Sequence, residues 1–206
     1  MSLRPQLRSQ LRALLQAGEQ GAATYTTINP WNARRTFALF AYLAEQYGYR
    51  YAGLSPDHSP SRGHPVFAFR RLPDAAERAT RTRARYPDGP LGGPLPGLTP
   101  GRKPAPLPEA RQEVELLHAR IKVDLYGTSS NHRLRMLAVA VPLGVLIALA
   151  VNGSLEPVPL AVAGGIAAVW WLYLWLAAAI MRRGRRRYGR MLEQAGVEWP
   201  PGGTPG

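Results

Sequence analysis

Cysteine is absent from the chain, which excludes disulfides, thiolate nucleophiles and thiolate-held zinc or iron–sulfur centres. Lysine is nearly absent as well, with Lys103 and Lys122 the only examples, so the 26 basic residues that stand against 13 acidic ones are almost all arginine. The resulting net charge of +13 selects anionic partners over cationic ones. With the excess of Ala, Gly and Pro, the preference for arginine also fits a GC-rich bacterial coding sequence. At the N-terminus Leu11, Leu14 and Leu15 alternate with Arg4, Arg8 and Arg12, an apolar stretch too short and too interrupted for a signal peptide. The polar part of the chain is therefore expected to stay unexported.

Catalytic motifs are missing too. There is no phosphate-cradling glycine loop, nucleophile elbow, kinase signature or zinc-protease motif. Asp57, His58 and His64 cluster in one stretch rich in Pro, Ser and Gly, where such residues serve local turn chemistry more often than a metal. His118 and His132 stand apart from them. No catalytic, cofactor-binding or metal-ligating residue is expected, and no cofactor.

What is present is apolar sequence concentrated near the C-terminus. A mean hydropathy of -0.19 averages a polar, Pro- and Arg-rich N-terminal part with two uncharged runs, 136–151 and 158–181. The second run, at about 1.5 Å per residue, reaches roughly 36 Å, enough to cross a hydrocarbon core of about 30 Å. The first reaches spanning length if Arg135 snorkels at one end and 152–155 complete the last turn at the other. Six residues, Asn152 to Pro157, connect them, too few for anything but an antiparallel return.

The connector carries no Lys or Arg, whereas Arg182, Arg183, Arg185, Arg186, Arg187 and Arg190 follow the second run and Lys122, Arg133 and Arg135 precede the first. By the positive-inside rule both termini are cytoplasmic, in a cell (inner) membrane, with the arginines after the second run against anionic lipid. Neither run holds Asp, Glu, Lys, Arg or His, which argues against a pump or an ion-coupled transporter. Ala140, Gly144 and Ala148 in the first run, and Ala161, Gly165 and Ala168 in the second, form small-residue stripes suited to close helix packing within the hairpin or between copies.

Before the membrane the pattern is that of a small α+β domain over 1–86. Leu3, Leu7, Leu11 and Leu14 mark one face of a helix that Gly18 and Gly21 end. A strand over 22–28, a helix opened by Asn29-Pro30 and running to Tyr47, and strands over 49–54 and 65–72 follow. The last two are expected to pair as an antiparallel hairpin. Asp74 and Glu77 have capping-box spacing for a helix that runs to Arg85. Residues 87–108 read as a Pro/Gly linker. Residues 109–131 read as a juxtamembrane amphipathic helix, broken at 127–131, whose Val114, Leu117 and Ile121 could form a self-association seam. The hairpin occupies 132–182 and a basic tail 183–206.

The expected function is a two-pass membrane protein that presents a cytoplasmic binding module, non-enzymatic, with anionic lipids and a protein partner or a second copy as partners. The alternatives are a pore-forming or membrane-perturbing effector gated by its cytoplasmic domain, and a membrane-tethered nucleic-acid binder. The nucleic-acid reading draws on Arg34, Arg35, Arg70, Arg71, Arg78, Arg81 and Arg85 beside Tyr49, Tyr51, Phe67 and Phe69. It is the less favoured one, because alternating aromatic residues on strands are more simply the buried side of a sheet.

Overall fold

The structure, a computed structural model, describes residues 3–29, 34–55, 65–101, 103–151, 157–197 and 199. Asp57, His58 and His64 lie outside them. The chain forms two compact units, one of Met1–Asp124 with Tyr188–Gly206 and the other of Leu125–Arg187.

The first unit is an α+β fold. Its elements are α1 (Leu3–Glu19), β1 (Thr24–Ile28), α2 (Arg34–Gln46), β2 (Tyr49–Leu54), β3 (Val66–Arg71) and α3 (Ala75–Arg85), joined by the opening of α4 (Pro108–Val151) and the close of α5 (Pro157–Gln194). The three strands form an antiparallel sheet in the order β1-β3-β2, so β2 and β3 pair as the sequence predicts and β1 adds on the far side of β3. A register shift between Tyr51 and Gly53 bulges β2, which bends an edge strand and strengthens its twist.

One face of the sheet carries the core. Phe67 and Phe69 alternate toward α2, where Phe37 and Phe40 meet them at ring-centroid distances of 4.5 to 6.0 Å. Leu7, Leu11 and Leu14 of α1 are fully buried, as their helical spacing requires. Asp74 precedes α3, but its carboxylate makes no cap hydrogen bond. It accepts instead from Nε of Arg78, one turn on, at 2.7 Å, so the capping box is replaced by an (i, i+4) ion pair.

Residues 87–107 are packed rather than strung out as a free linker. The Asp88 carbonyl accepts from the N–H groups of Leu91, Gly92 and Gly93, and Arg8 donates to the carbonyls of Gly92 and Gly93. Leu95 and Leu98 are buried. The buried leucines and the hydrogen bonds from Arg8 seat the segment, and its prolines, with φ already fixed, lose less backbone freedom on ordering than other residues.

α4 runs unbroken through 127–131, where the sequence predicts an interruption. Each Gly, Ser, Thr or Asn there costs under about 1 kcal/mol of helix propensity, and a helix already nucleated on both sides propagates through them. In the first unit α4 buries Ala110, Val114, Leu117 and Ile121, so the proposed self-association seam is occupied by the chain's own core. On its neighbouring face Ala119 and Val123 close over Leu192, with Tyr188, Met191, Val197 and Trp199 packed around them. The stretch expected to trail as a basic tail thus returns to the first unit.

The second unit contains the rest of α4 and α5. At Gly184 of α5 an added Cβ would stand 3.1 Å from the ring of Tyr126 of α4. Further along, Val141, Pro142, Val145 and Leu146 of α4 and Ala163, Gly164, Ile166, Ala167 and Trp170 of α5 line an apolar cavity of about 250 Å³. Among the described residues, every exposed large apolar side chain other than Ile28 and Leu91 belongs to this unit. One helix among them, Ala161–Gln194, is long and apolar enough to cross a membrane, with a mean hydropathy of 1.7 in its most apolar window, whereas the apolar stretch Ala138–Ala148 is shorter.

Candidate functional site

The most developed polar site is a cleft of about 760 Å³ beside the β2 edge of the first unit. Two strands, the opening of α4 and the returning C-terminal segment build it. β2 and β3 place Arg50 directly opposite Arg70, and Arg71, one residue on, also lines the cleft. α4 contributes Arg120, and the C-terminal segment contributes Trp199.

The wall beneath is a buried hydrogen-bonded network. Asp124 accepts from the Tyr51 hydroxyl at 2.7 Å and from Nε1 of Trp199 at 2.8 Å. The indole stacks on the Tyr51 ring with centroids 5.5 Å apart and planes inclined by 20°. The guanidinium of Arg120 lies 5.4 Å over the same indole and 4.0 Å from a carboxylate oxygen of Glu45. Nε of Arg120 is buried and has no hydrogen-bond partner among the described residues.

Burial raises the Asp124 carboxyl above the ordinary aspartate range, against the lowering effect of the hydrogen bonds from Tyr51 and Trp199. Burial likewise raises Glu45, opposed by Arg120 and Arg50. Burial and the neighbouring Asp124 carboxylate push the Tyr51 hydroxyl well up. Tyr51 and Trp199 both donate to Asp124, which ties the C-terminal segment to β2 and α4.

His118 has a different setting. It is half-buried, edge-on to Tyr188 at 6.3 Å, and burial, reinforced by Lys122, Arg35 and Arg34, pulls its pKa down to about 4. The imidazole is therefore neutral at physiological pH. Lys122 donates to the Tyr188 hydroxyl at 2.5 Å. Among the described residues no group of three His, Asp or Glu side chains is placed to share a metal ion.

The residues singled out from sequence are distributed as follows. Ala140, Gly144, Ala148, Ala161, Gly165 and Ala168 are all exposed on the second unit, and nothing lies within 4 Å of a Cβ added at Gly144 or Gly165. Among the described residues these six positions face outward. Arg182, Arg183, Arg185, Arg186, Arg187 and Arg190 are exposed, and none forms an ion pair among the described residues. Val114, Leu117 and Ile121 are buried, as are Tyr49, Tyr51, Phe67 and Phe69. Those four rings fill the core and offer no platform for stacking bases.

Sequence reasoning did not single out Glu45, Arg50, Arg120, Asp124 or Trp199. Two signals pointed to the site. Asp124 continues the apolar spacing of Leu117 and Ile121, a position where a carboxylate needs donors brought to it. Trp199 is a lone aromatic in a polar, Pro-rich tail. Comparison with protein-family models, with curated proteins and with solved structures finds no match.

Proposed function

We propose that the chain is a two-pass integral membrane protein whose first unit is a cytoplasmic binding module, anchored by a hairpin of α4 and α5 and carrying out no chemistry of its own. The observation that supports this most is the surface of the second unit. Side chains as large as Val151, Val169, Leu172 and Trp175 are more than half exposed there, and soluble chains rarely expose an apolar surface of this extent to water. Lipid accommodates it. The approach of Tyr126 to Gly184 and the cavity shared by Val145 and Ala163 fit helices that run in opposite directions.

On this reading the arginines after 181 meet anionic headgroups on the cytoplasmic side. The outward small-residue stripes face lipid or the helices of another copy or partner. The binding module would then be held at the membrane surface beside its ligand.

Membrane insertion is tested by extraction. Full-length protein in isolated membranes is expected to stay in the pellet after an alkaline carbonate wash. Val169→Arg places a charge near the middle of the second span, at a cost of about 2.5–3.5 kcal/mol. It is expected to move most of the protein to the carbonate-soluble or degraded fraction, whereas Val169→Leu stays in the pellet. Complete release of the unaltered protein by carbonate would refute integral insertion.

A further inference from the structure

We propose that the cleft beside β2 binds a phosphate-bearing ligand, free or carried on a lipid headgroup, through Arg50, Arg70 and Arg120. The inference rests on the reading of the first unit as a binding module and assigns its ligand class. Arg50 and Arg70 are Cα partners across β2 and β3, an arrangement that brings like charges face to face and is destabilising in a sheet. Glu45 and Asp74 attract Arg50 only through space, and among the described residues Arg50, Arg70 and Arg71 form no ion pair and no side-chain hydrogen bond. The three arginines line one cleft together with Arg120, against the single carboxylate of Glu45.

Arg120 adds a second observation. Among the described residues its buried Nε has no hydrogen-bond partner, and its ion-pair contact there, to Glu45, is 4.0 Å long, beyond hydrogen-bonding distance. Stacking over Trp199 holds the guanidinium at the cleft, with donor capacity the protein leaves unused. Planar guanidinium forks match the oxygens of phosphate in pairs, and several together suit a group that carries more than one negative charge. A volume of about 760 Å³ holds a polyphosphorylated small molecule or the head of a phospholipid and falls within the usual range of ligand pockets.

The test is calorimetric titration of the full-length protein with pyrophosphate, in nanodiscs of phosphatidylcholine alone and of phosphatidylcholine with phosphatidic acid. Saturable binding is expected, and Arg50→Gln with Arg70→Gln should weaken it at least tenfold. Arg78→Gln with Arg81→Gln, which removes as much charge from exposed α3, should leave it within twofold. If phosphatidic acid competes with pyrophosphate, and the cleft variant loses the competition, the ligand is carried on a lipid. Equal pyrophosphate affinity in both nanodiscs indicates a free ligand.

Absence of saturable binding overturns the inference, as does an equal loss in the two double variants. A single-stranded oligonucleotide that binds more tightly than pyrophosphate through Arg50 and Arg70 would overturn it in favour of nucleic acid. The carbonate wash separates the two readings. Protein that resists extraction and binds no pyrophosphate removes the ligand and keeps the anchor, whereas extractable protein that binds through Arg50 and Arg70 keeps the ligand and removes the anchor.

Discussion

Replacing Phe69 by Ala is expected to destabilise the first unit by about 3–5 kcal/mol, the range for deleting a fully buried aromatic ring from a core that cannot collapse around it. Phe69 is fully buried. Its ring meets Tyr25, Phe37, Phe40 and Tyr51 at centroid distances of 6.4, 6.0, 5.3 and 5.7 Å. Those neighbours come from three elements, the two flanking strands β1 and β2 and the helix α2, so no single element can shift inward to fill the void. Thr26→Ala, at an exposed position of β1, should change stability by less than about 0.5 kcal/mol. Hydrogen exchange of the full-length protein in detergent reads the difference locally, free of the apolar helices. Protection in β2 and β3 should fall by two to three orders of magnitude in Phe69→Ala. An unchanged exchange pattern would mean the aromatic cluster is not the core.

Gly48→Ala carries the second large effect, for two separable reasons. Gly48 sits at φ +88° between α2 and β2, and a Cβ there would stand 2.6 Å from the Cβ of Ala75 and overlap its backbone. A side chain in left-handed backbone costs roughly 1–2 kcal/mol, and forcing α3 away from the sheet adds about 1–3 kcal/mol more. Gly21 provides the comparison, because it has φ +80° with nothing within 4 Å of its Cβ position. Gly21→Ala should therefore cost only the backbone part. Exchange in α3 and β2 is expected to accelerate strongly in Gly48→Ala and slightly in Gly21→Ala. Equal effects would show that the packing of Ala75 against Gly48 contributes nothing.

These positions also show what could be read from the sequence. The leucine spacing of α1, the alternation in β2 and β3 and the helix after Pro73 are local periodicities, each visible within a few residues. The structure places those elements within a residue or two of where the pattern puts them. Features that depend on distant complementarity left no local mark. The return of 188–199 depends on Leu192 meeting Ala119 and Val123 and on Trp199 finding Asp124, some 75 positions away in the chain.

The packing of 87–107 was hidden for a similar reason. Pro and Gly composition reads as a spacer, and nothing in the segment reveals that Arg8 supplies donors to its carbonyls. The continuity of α4 was masked by weak helix formers whose small penalties a long helix absorbs. The cleft was hidden by distance as well. Arg70 and Arg71 were read as part of a basic surface with α2 and α3, Arg50 and Arg120 were not singled out, and only the strand register puts Arg50 opposite Arg70.

The two-pass reading we propose places both ends of the chain on one side of the bilayer. The absence of cysteine allows a direct test with single cysteines introduced at Ser9, Ser154 and Thr204. Intact cells are treated with a membrane-impermeant maleimide, and the labelling is repeated after permeabilisation. The account predicts that Ser154→Cys is labelled in intact cells, and that Ser9→Cys and Thr204→Cys are labelled only once the membrane is opened. Labelling of Ser9→Cys and Thr204→Cys from opposite sides, or protection of all three until permeabilisation, would contradict it.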